Sequence, residues 1–230
     1  NEADYPPFNF SIGDNPEGYS NDVLNLVADR LGLRLRHTKP TTFNHLLGEF
    51  KDGRVDLLHS AAKTPEREKF ALYSNSYVTF RTRFATRSDV PDIEGFDDLR
   101  GKTVAAGKGW FQEEFIRTNY PELKLLLVDT AEDMLGAVAS EQAYATVINE
   151  KTMAYLFPRV GYTGLKVSGW ARELDGGRIQ KYYFLTQPST PILNDLINKA
   201  LRSLSNRDLE DARQKWFGGI EAGMQMVAIS

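Results

Sequence analysis

Apolar residues in the first part of the chain recur every three or four positions. Residues 20 to 32 place Val23, Leu24, Val27 and Leu31 on one face of a helix. The polar run Ser20-Asn21-Asp22 before them offers N-cap oxygens, and Gly32 after them favours a left-handed stop. The pattern predicts an amphipathic helix.

The spacing then changes to every second residue. Leu33-Arg34-Leu35-Arg36 alternates until Pro40, which indicates a strand. Thr42 can cap a second helix, whose apolar face would carry Phe43, Leu46, Leu47 and Phe50. Asp52-Gly53 turns the chain into another short strand, Val55-Asp56-Leu57-Leu58. Strands that alternate with helices predict a parallel sheet with right-handed crossovers and helices on both faces.

A similar pattern restarts after Pro91. It predicts strands at residues 103–106, 125–128 and 144–148, and helices that begin near Trp110, after Thr130 and before Met153. Two further helices follow, one starting at Thr190-Pro191 and one running from Asn206 to Trp216-Phe217-Gly218. The chain therefore reads as two small α/β units in series with a helical tail.

Composition narrows the class of partner. The 230 residues include 28 Lys and Arg against 31 Asp and Glu, so no basic excess is present to cover a phosphate backbone. Nucleic acid is not expected as a partner. The absence of cysteine excludes disulfides, thiolate metal sites and cysteine nucleophiles. No apolar run reaches the length of a membrane span, and the start at Asn1 rather than Met predicts a processed or excerpted segment.

The candidate catalytic and metal chemistry is sparse. His37, His45 and His59 lack a shared metal-ligand spacing, and no G-x-S-x-G nucleophile motif occurs. His37 is expected at the surface, and a structural role is favoured for His59. We therefore expect no metal, no cofactor and no catalytic activity from the chain itself.

Several motifs, in order and spacing, resemble the family 3 periplasmic solute-binding proteins. They are Tyr5-Pro6-Pro7-Phe8-Asn9-Phe10, Gly18-Tyr19, Thr64-Pro65-Glu66-Arg67, Tyr73-Ser74-Asn75-Ser76-Tyr77, Leu99-Arg100-Gly101-Lys102-Thr103-Val104 and Lys215-Trp216-Phe217-Gly218. Within that family the chain is most similar to the periplasmic sensor domains of BvgS-like hybrid histidine kinases. That similarity lies in a shortened stretch from Asp56 to Arg67, and in residues 83–87, 111–121 and 148–156.

The resemblance implies an α/β fold of the type II periplasmic-binding-protein class. This is a two-lobed clamp in which each lobe is a small, mostly parallel sheet flanked by helices. Residues 1–85 and 187–230 would form lobe 1, residues 86–186 would form the inserted lobe 2, and strands near 83–86 and 182–186 would act as hinges. A ligand would bind in the crevice between the lobes and close them.

The resemblance also implies a function. We expect a Venus-flytrap sensor domain in the periplasm, belonging to an inner-membrane protein whose signalling module is a histidine kinase in the same chain. Its partner would be a small carboxylate or amino-acid-like ligand, and a homodimer stays open. The alternatives are a free amino-acid-binding protein of an ABC importer and, more remotely, a dehydratase-like enzyme with Glu150 and His59 as the candidate acid or base.

The resemblance implies that Arg67 holds a ligand carboxylate, because its planar guanidinium can bind both carboxylate oxygens. From the spacing alone, Arg67 would be a solvated residue at a charged helix start. Phe43, Tyr5 and Phe8 would form aromatic walls, although Phe43 equally fits the apolar face of its own helix. Ser60 and Ala62 are further candidate ligand contacts. The shortened stretch implies that they do not present the same amide and hydroxyl groups as the corresponding residues of the transport binders.

The second unit contributes two candidate sites. Gly107-Lys108-Gly109 precedes a helix that starts after Trp110. This arrangement can bind an anion through Lys108 and the backbone N–H groups of Gly109 and Trp110, or simply form a tight turn. Asn149 stands near where amino-acid transport binders place an aspartate for the ligand ammonium group. An amide cannot neutralise a cation, which favours a carboxylate ligand without an amine. The alternative is that a rotation of the helix brings Glu150 to the ammonium group in place of the aspartate. An N-cap role for Asn149 is compatible with this interpretation.

Overall fold

The computed structural model describes residues 1–161, 164–174 and 176–227. The chain forms two compact units: unit 1 comprises Asn1–Thr79 and Lys181–Ser230, and unit 2 comprises Phe80–Gln180. Each boundary between the units lies six residues earlier in the chain than predicted: after residue 79 rather than 85, and after residue 180 rather than 186. The strands predicted as hinges, near 83–86 and 182–186, each lie in the sheet of one unit.

The elements alternate along most of the chain. The strands are β1 (Asp4–Tyr5), β2 (Asn9–Ile12), β3 (Asn15–Glu17), β4 (Leu57–Ala61), β5 (Leu72–Tyr73), β6 (Val78–Phe80), β7 (Thr82–Arg87), β8 (Thr103–Gly107), β9 (Lys124–Val128), β10 (Ala145–Asn149), β11 (Leu165–Trp170) and β12 (Gln180–Thr186). The helices are α1 (Tyr19–Leu31), α2 (Phe43–Lys51), α3 (Phe111–Asn119), α4 (Ala131–Ala139), α5 (Glu150–Val160), α6 (Pro191–Ser203) and α7 (Asn206–Val227). Within the described residues, no helix is both long and apolar enough to cross a bilayer.

Unit 1 holds two small sheets. One has the order β1-β2-β3, and the other has the order β4-β12-β5 with β6 also paired to β12. The ladders β1–β2, β2–β3, β4–β12 and β5–β12 are antiparallel, where the sequence predicted a parallel sheet. The predicted strand at residues 33–36 does not form, so the parallel strand–helix–strand units that the prediction required are missing from this part of the chain.

Helix α1 begins one residue earlier than its predicted capping run. Its N-cap is Gly18, with φ 111°, and no side chain caps it. The backbone carbonyls of Pro7 and Phe8 accept the N–H groups of Tyr19 and Ser20 at 2.8 and 2.9 Å, so the first turn needs no side-chain acceptor. Backbone carbonyls from a preceding loop therefore take the place of the predicted side-chain cap. The prediction that the helix ends at a left-handed Gly32 is confirmed.

The predicted start of helix α2 is confirmed, whereas the predicted end of α7 is wrong. Thr42 caps α2 as predicted, its Oγ1 accepting the N–H of His45 at 3.2 Å. Helix α7 starts at Asn206 as predicted but continues past Gly218. A glycine inside a helix costs only about 1 kcal/mol, and the buried side chains of Phe217 and Ile220 favour continuation.

Unit 2 is a mixed sheet with the order β11-β7-β10-β8-β9. Strand β8 pairs in parallel with β9 and β10, while β7 pairs antiparallel with β10 and β11. The register places Ala145 of β10 opposite Val104 of β8, so both strands end at the same edge. Helices α3 and α5 follow β8 and β10, and their first turns therefore lie at that edge.

Candidate functional site

Arg67 lies inside unit 1 rather than in solvent. It opens a 3-10 turn, Arg67–Lys69, and Thr64 Oγ1 accepts its backbone N–H at 3.2 Å. Only 1% of the residue is exposed. Its Nη1 donates to the carbonyl of Ala62 at 3.1 Å, which fixes the direction of the guanidinium. The interpretation of Arg67 as a solvated helix-start residue is therefore wrong.

Phe43 supports the face of this guanidinium. The Arg67 Cζ atom is 5.2 Å from the centre of the Phe43 ring, within range of a cation–π interaction. Phe43 is also the first residue of α2 and is buried. Both interpretations of Phe43 thus describe the same side chain: it starts the apolar face of its helix and it contacts the arginine.

Ser60 and Ala62 form hydrogen bonds with other residues of unit 1. The Ser60 N–H donates to Tyr77 Oη at 2.8 Å, and its Oγ donates to Ser20 Oγ at 2.9 Å. Ser60 has a positive φ of 57°, uncommon for a residue with a side chain. Ala62 acts through its carbonyl, which holds Arg67. The sequence placed Ser20 in a helix cap and Tyr77 in a family motif but did not predict that both contact Ser60, because a single Tyr or Ser carries no local signal of burial.

Tyr5 and Phe8 pack in the aromatic core of unit 1. Their rings stack with centres 5.8 Å apart, and the Tyr5 and Tyr182 hydroxyl groups form a hydrogen bond. Phe8 is fully buried, with its ring centre 5.3 Å from that of Tyr182 and 5.5 Å from that of Phe217. These contacts give both residues a structural role in positioning the start of the chain.

Glu2 is a buried carboxyl that sequence analysis missed. It is 4% exposed, and its Oε2 accepts from Asn9 Nδ2 at 2.9 Å while its N–H donates to Asn9 Oδ1 at 3.3 Å. Burial raises the pKa of Glu2 to about 8, although the hydrogen bond from Asn9 and the charge of Arg67 oppose the shift. Glu2 is therefore mostly uncharged at pH 7.

This pKa gives an expected pH dependence of stability. Because the folded state holds the Glu2 proton more tightly than the unfolded state, its contribution is fully present below about pH 4.5 and is lost as pH rises towards 8. One proton changes the slope by at most about 1.4 kcal/mol per pH unit. Urea unfolding of Glu2→Gln between pH 5 and 8 should show a flatter pH profile than the parent chain. Identical profiles would contradict the buried, protonated state.

The positions of His37 and His59 agree with the expectations from sequence. His37 and His45 are exposed, as predicted for His37. His59 is buried, its Nδ1 lies 3.3 Å from Ser60 Oγ, and burial lowers its pKa to about 3. Its imidazole is neutral at physiological pH, which agrees with a structural role. The described residues contain no cluster of three His, Asp or Glu side chains suited to a metal ion.

The turn before α3 satisfies its own backbone donors. The N–H of Lys108 donates to Val128 O at 2.9 Å, that of Gly109 to Glu113 Oε2 at 2.7 Å, and that of Trp110 to Gly107 O at 3.1 Å. Lys108 Nζ lies 3.3 Å from Asp129 Oδ1. The Glu113 carboxylate thus takes the position predicted for an external anion, and the tight-turn interpretation describes these contacts.

Asn149 combines two of its predicted properties. It ends β10 and caps α5, its Oδ1 accepting the N–H of Lys151 at 2.8 Å. The residue is fully buried, and its Nδ2 has no hydrogen-bond partner among the residues described. The neighbouring Glu150 accepts the N–H of Arg81 at 3.2 Å through Oε1. The Asn149 side chain therefore caps the helix through its oxygen, while its NH₂ group has no hydrogen-bond partner among the described residues.

Two further polar residues near this edge of the sheet escaped sequence analysis. Gln112 lies in the first turn of α3 and Thr152 in the first turn of α5, and both are fully buried. In the described part of the chain, neither amide atom of Gln112 nor the hydroxyl of Thr152 has a partner. Buried polar atoms normally have partners, so these side chains are suited to a bound solute or water. The sequence signal that could have identified Gln112 and Thr152 is their position in helices that directly follow parallel strands.

The sequence matches a known family almost throughout. The model of the family described as bacterial extracellular solute-binding proteins, family 3, matches residues 1–219. The arginine-binding extracellular protein ArtP of Bacillus subtilis (strain 168) is 29% identical over 222 residues, which are 94% of this chain and 84% of ArtP.

A sensor protein is also similar. The virulence sensor protein BvgS of Bordetella pertussis (strain Tohama I) is 27% identical over 201 residues, which are 87% of this chain but only 16% of BvgS. The crystal structure of the periplasmic VFT2 domain of Bordetella pertussis BvgS superposes with a TM-score of 0.77 at 26% identity, covering 94% of this chain and 90% of that domain.

Proposed function

Because this chain belongs to the bacterial extracellular solute-binding proteins, family 3, we propose that it binds a small carboxylate-type solute as the sensor domain of a membrane signalling protein. The family is extracytoplasmic and binds solutes without catalysis, and its fold is the α/β periplasmic-binding-protein fold with mixed sheets. The predictions of family and fold class are thereby confirmed. The ligand, the signalling role and closure of the lobes are proposals.

The geometry of Arg67 is the observation on which the ligand class rests. Its guanidinium is buried, one nitrogen is fixed by Ala62, and one face lies near Phe43. A guanidinium held in this way is preorganised for two parallel N–H···O bonds to a planar carboxylate. Glu2 is mostly protonated at pH 7 and therefore supplies little negative charge to Arg67. A ligand carboxylate would supply the negative charge that the Arg67 guanidinium attracts.

The buried polar groups of unit 2 favour a ligand without an ammonium group. Asn149, Gln112 and Thr152 offer neutral donors and acceptors. The nearby carboxylate, Glu150, accepts a backbone N–H from Arg81. An α-amino acid would bury its ammonium group near amides that cannot neutralise it, which is costly.

The relatives support two roles. Similarity to BvgS favours a sensor domain, whereas similarity to ArtP over most of its length favours a free binding protein, which is the second candidate. An enzyme on this fold is supported least, because His59 is neutral with a pKa of about 3 and hydrogen-bonds within unit 1. Reading the gene beyond the codon for residue 230 separates the first two. A membrane span and kinase module would support the sensor, and a stop codon would contradict it.

A panel of matched acids tests the ligand proposal. The pairs glutarate and L-glutamate, 3-phenylpropionate and L-phenylalanine, and 4-methylvalerate and L-leucine each differ by one amine. A binder at about 100 times its Kd adds roughly 2.7 kcal/mol to stability, which raises the Tm by about 5–10 °C for a chain of this size. We expect larger shifts from the amine-free members. Shifts confined to the amino acids would contradict the proposal.

A further inference from the structure

Two arginines lie against the indole ring of Trp170, the last residue of β11. The Arg81 Cζ atom is 5.4 Å and the Arg172 Cζ atom 5.1 Å from the centre of that ring. Both distances are within the roughly 6 Å over which a cation and an aromatic face attract each other. Because both are measured to one ring, the two charges are separated by no more than roughly one Debye length in 0.1 M salt.

The pairing of β7 with β11 brings the two arginines to one end of the sheet of unit 2. The strands are antiparallel, so the end of β11 lies beside the start of β7. The Ala171 N–H donates to Thr82 O at 2.9 Å, and the Arg172 N–H donates to Trp170 O at 2.8 Å, which turns the chain tightly after β11. Arg81 stands directly before β7. Backbone contacts therefore hold both arginines beside Trp170.

The two guanidinium groups carry charge that no described acidic side chain neutralises. Among the side chains that the structure describes, neither Arg81 nor Arg172 forms an ion pair with a carboxylate. Glu150 is near, and its Oε1 accepts the backbone N–H of Arg81 at 3.2 Å. By contrast, Arg100 and Arg117 of the same unit each contact a carboxylate at 2.8 Å. Like charges at short separation repel, so an anion bound to both arginines would stabilise this arrangement.

The charge of the pair favours a phosphate group over a carboxylate. A phosphate ester carries a charge of about −1.5 to −2 at pH 7 and offers three acceptor oxygens, which matches two guanidinium groups. A carboxylate carries one negative charge and would leave one guanidinium without compensation. Arginine suits phosphate in particular, because its planar fork can donate to two oxygens at once.

We propose that Arg81 and Arg172 form a binding site for a phosphate group in unit 2, with Trp170 supporting the two guanidinium groups. Both arginines are exposed and Trp170 is half-buried, so an anion reaches them from solvent. The site takes free phosphate or the phosphate of an organic ester, since the arginines contact only phosphate oxygens. These residues are separate from those assigned to the carboxylate ligand, so the inference does not depend on the proposed function.

The indole N–H signal of Trp170 tests the site. The chain has 3 tryptophans, and the signal missing from Trp170→Phe in a ¹H–¹⁵N spectrum identifies this one. Inorganic phosphate added at constant ionic strength should move the signal to saturation, while those of Trp110 and Trp216 stay in place. Methyl phosphate distinguishes the two sources: binding as tight as that of inorganic phosphate indicates an organic ester, and weaker binding indicates free phosphate.

Acetate is the control for charge. At the same ionic strength it should bind at least about tenfold more weakly than phosphate, because it carries one negative charge for two guanidinium groups. Equal affinities for acetate and phosphate would contradict a site built for a doubly charged anion. A shift of the Trp170 signal that stays linear in phosphate concentration would contradict a site of any kind.

Three glutamine variants locate the bound anion. Arg81→Gln and Arg172→Gln should each weaken phosphate binding by about tenfold, since each removes a charge-assisted hydrogen bond. Arg178→Gln removes the same charge from another exposed position of unit 2 and should change the affinity by less than about twofold. Equal losses in all three variants would overturn the proposal. So would a response that Arg67→Gln abolishes and Arg81→Gln preserves, because phosphate would then bind at the carboxylate site.

Discussion

Replacing Arg67 with glutamine should weaken binding of an amine-free carboxylate by about 30-fold or more. Loss of one partner from a desolvated charge pair costs about 2–5 kcal/mol, and each 1.4 kcal/mol is tenfold in Kd. Glutamine removes the charge and the planar fork, together with the Nη1 atom that donates to the carbonyl of Ala62 at 3.1 Å. Calorimetric titration of the tightest-binding acid of the panel measures the effect.

Two companion variants show whether the effect belongs to the guanidinium. Arg67→Lys keeps the charge but loses the planar fork, so it should recover only part of the affinity. Arg202→Gln removes an exposed arginine of α6 and should leave affinity unchanged. A drop in stability for Arg67→Gln with unaltered affinity would mean that Arg67 only supports the fold.

Replacing Asn149 with aspartate should shift the two ligand classes in opposite directions. An aspartate supplies a charge for an ammonium group, and charge-assisted hydrogen bonds contribute about 1.5–3 kcal/mol against about 1 for neutral ones. The amino-acid member of a pair should therefore gain roughly tenfold in affinity. The amine-free member should bind more weakly, because a second anion would face it. Calorimetry on one matched pair measures both shifts.

The fold should tolerate this change. Asn149 caps α5 through Oδ1, and aspartate is an equally good N-cap that also favours the helix N-terminus. Asn149→Ser keeps a capping oxygen without the amide or the charge, so it should affect both ligand classes alike. Parallel shifts in Asn149→Asp would mean that Asn149 acts only as a helix cap.

The sequence pattern correctly predicted those helices and strands that are determined by residues close to them in sequence. Thr42 and Thr130 cap α2 and α4 as their spacing indicated, and the strands and helices of unit 2 follow the alternation of the sequence. The start of α1 failed because carbonyls of Pro7 and Phe8 replace the side-chain cap. The strand at residues 33–36 failed because a strand needs a neighbour, and no neighbour pairs with this segment in the described chain.

The candidate site divides in the same way. Arg67 and Asn149 were selected through the resemblance, and their contact with a ligand is a proposal. Glu2 and Gln112 were missed because burial decides their behaviour, and burial depends on elements distant in sequence. The amides of the Gly107–Gly109 turn are bound by Val128 and Glu113, and pattern alone could not distinguish an internal carboxylate from an external anion.

The guanidinium signals of the arginines test the central proposal most directly. In a sample with ¹⁵N-labelled arginine, the signal absent from Arg67→Lys identifies Arg67, whose burial should separate it from exposed arginines. Adding the tightest-binding amine-free acid should move this signal to saturation at the ligand concentration that calorimetry predicts, while exposed arginines stay in place. Saturation of binding by calorimetry with an unmoved Arg67 signal would contradict a carboxylate site at this residue.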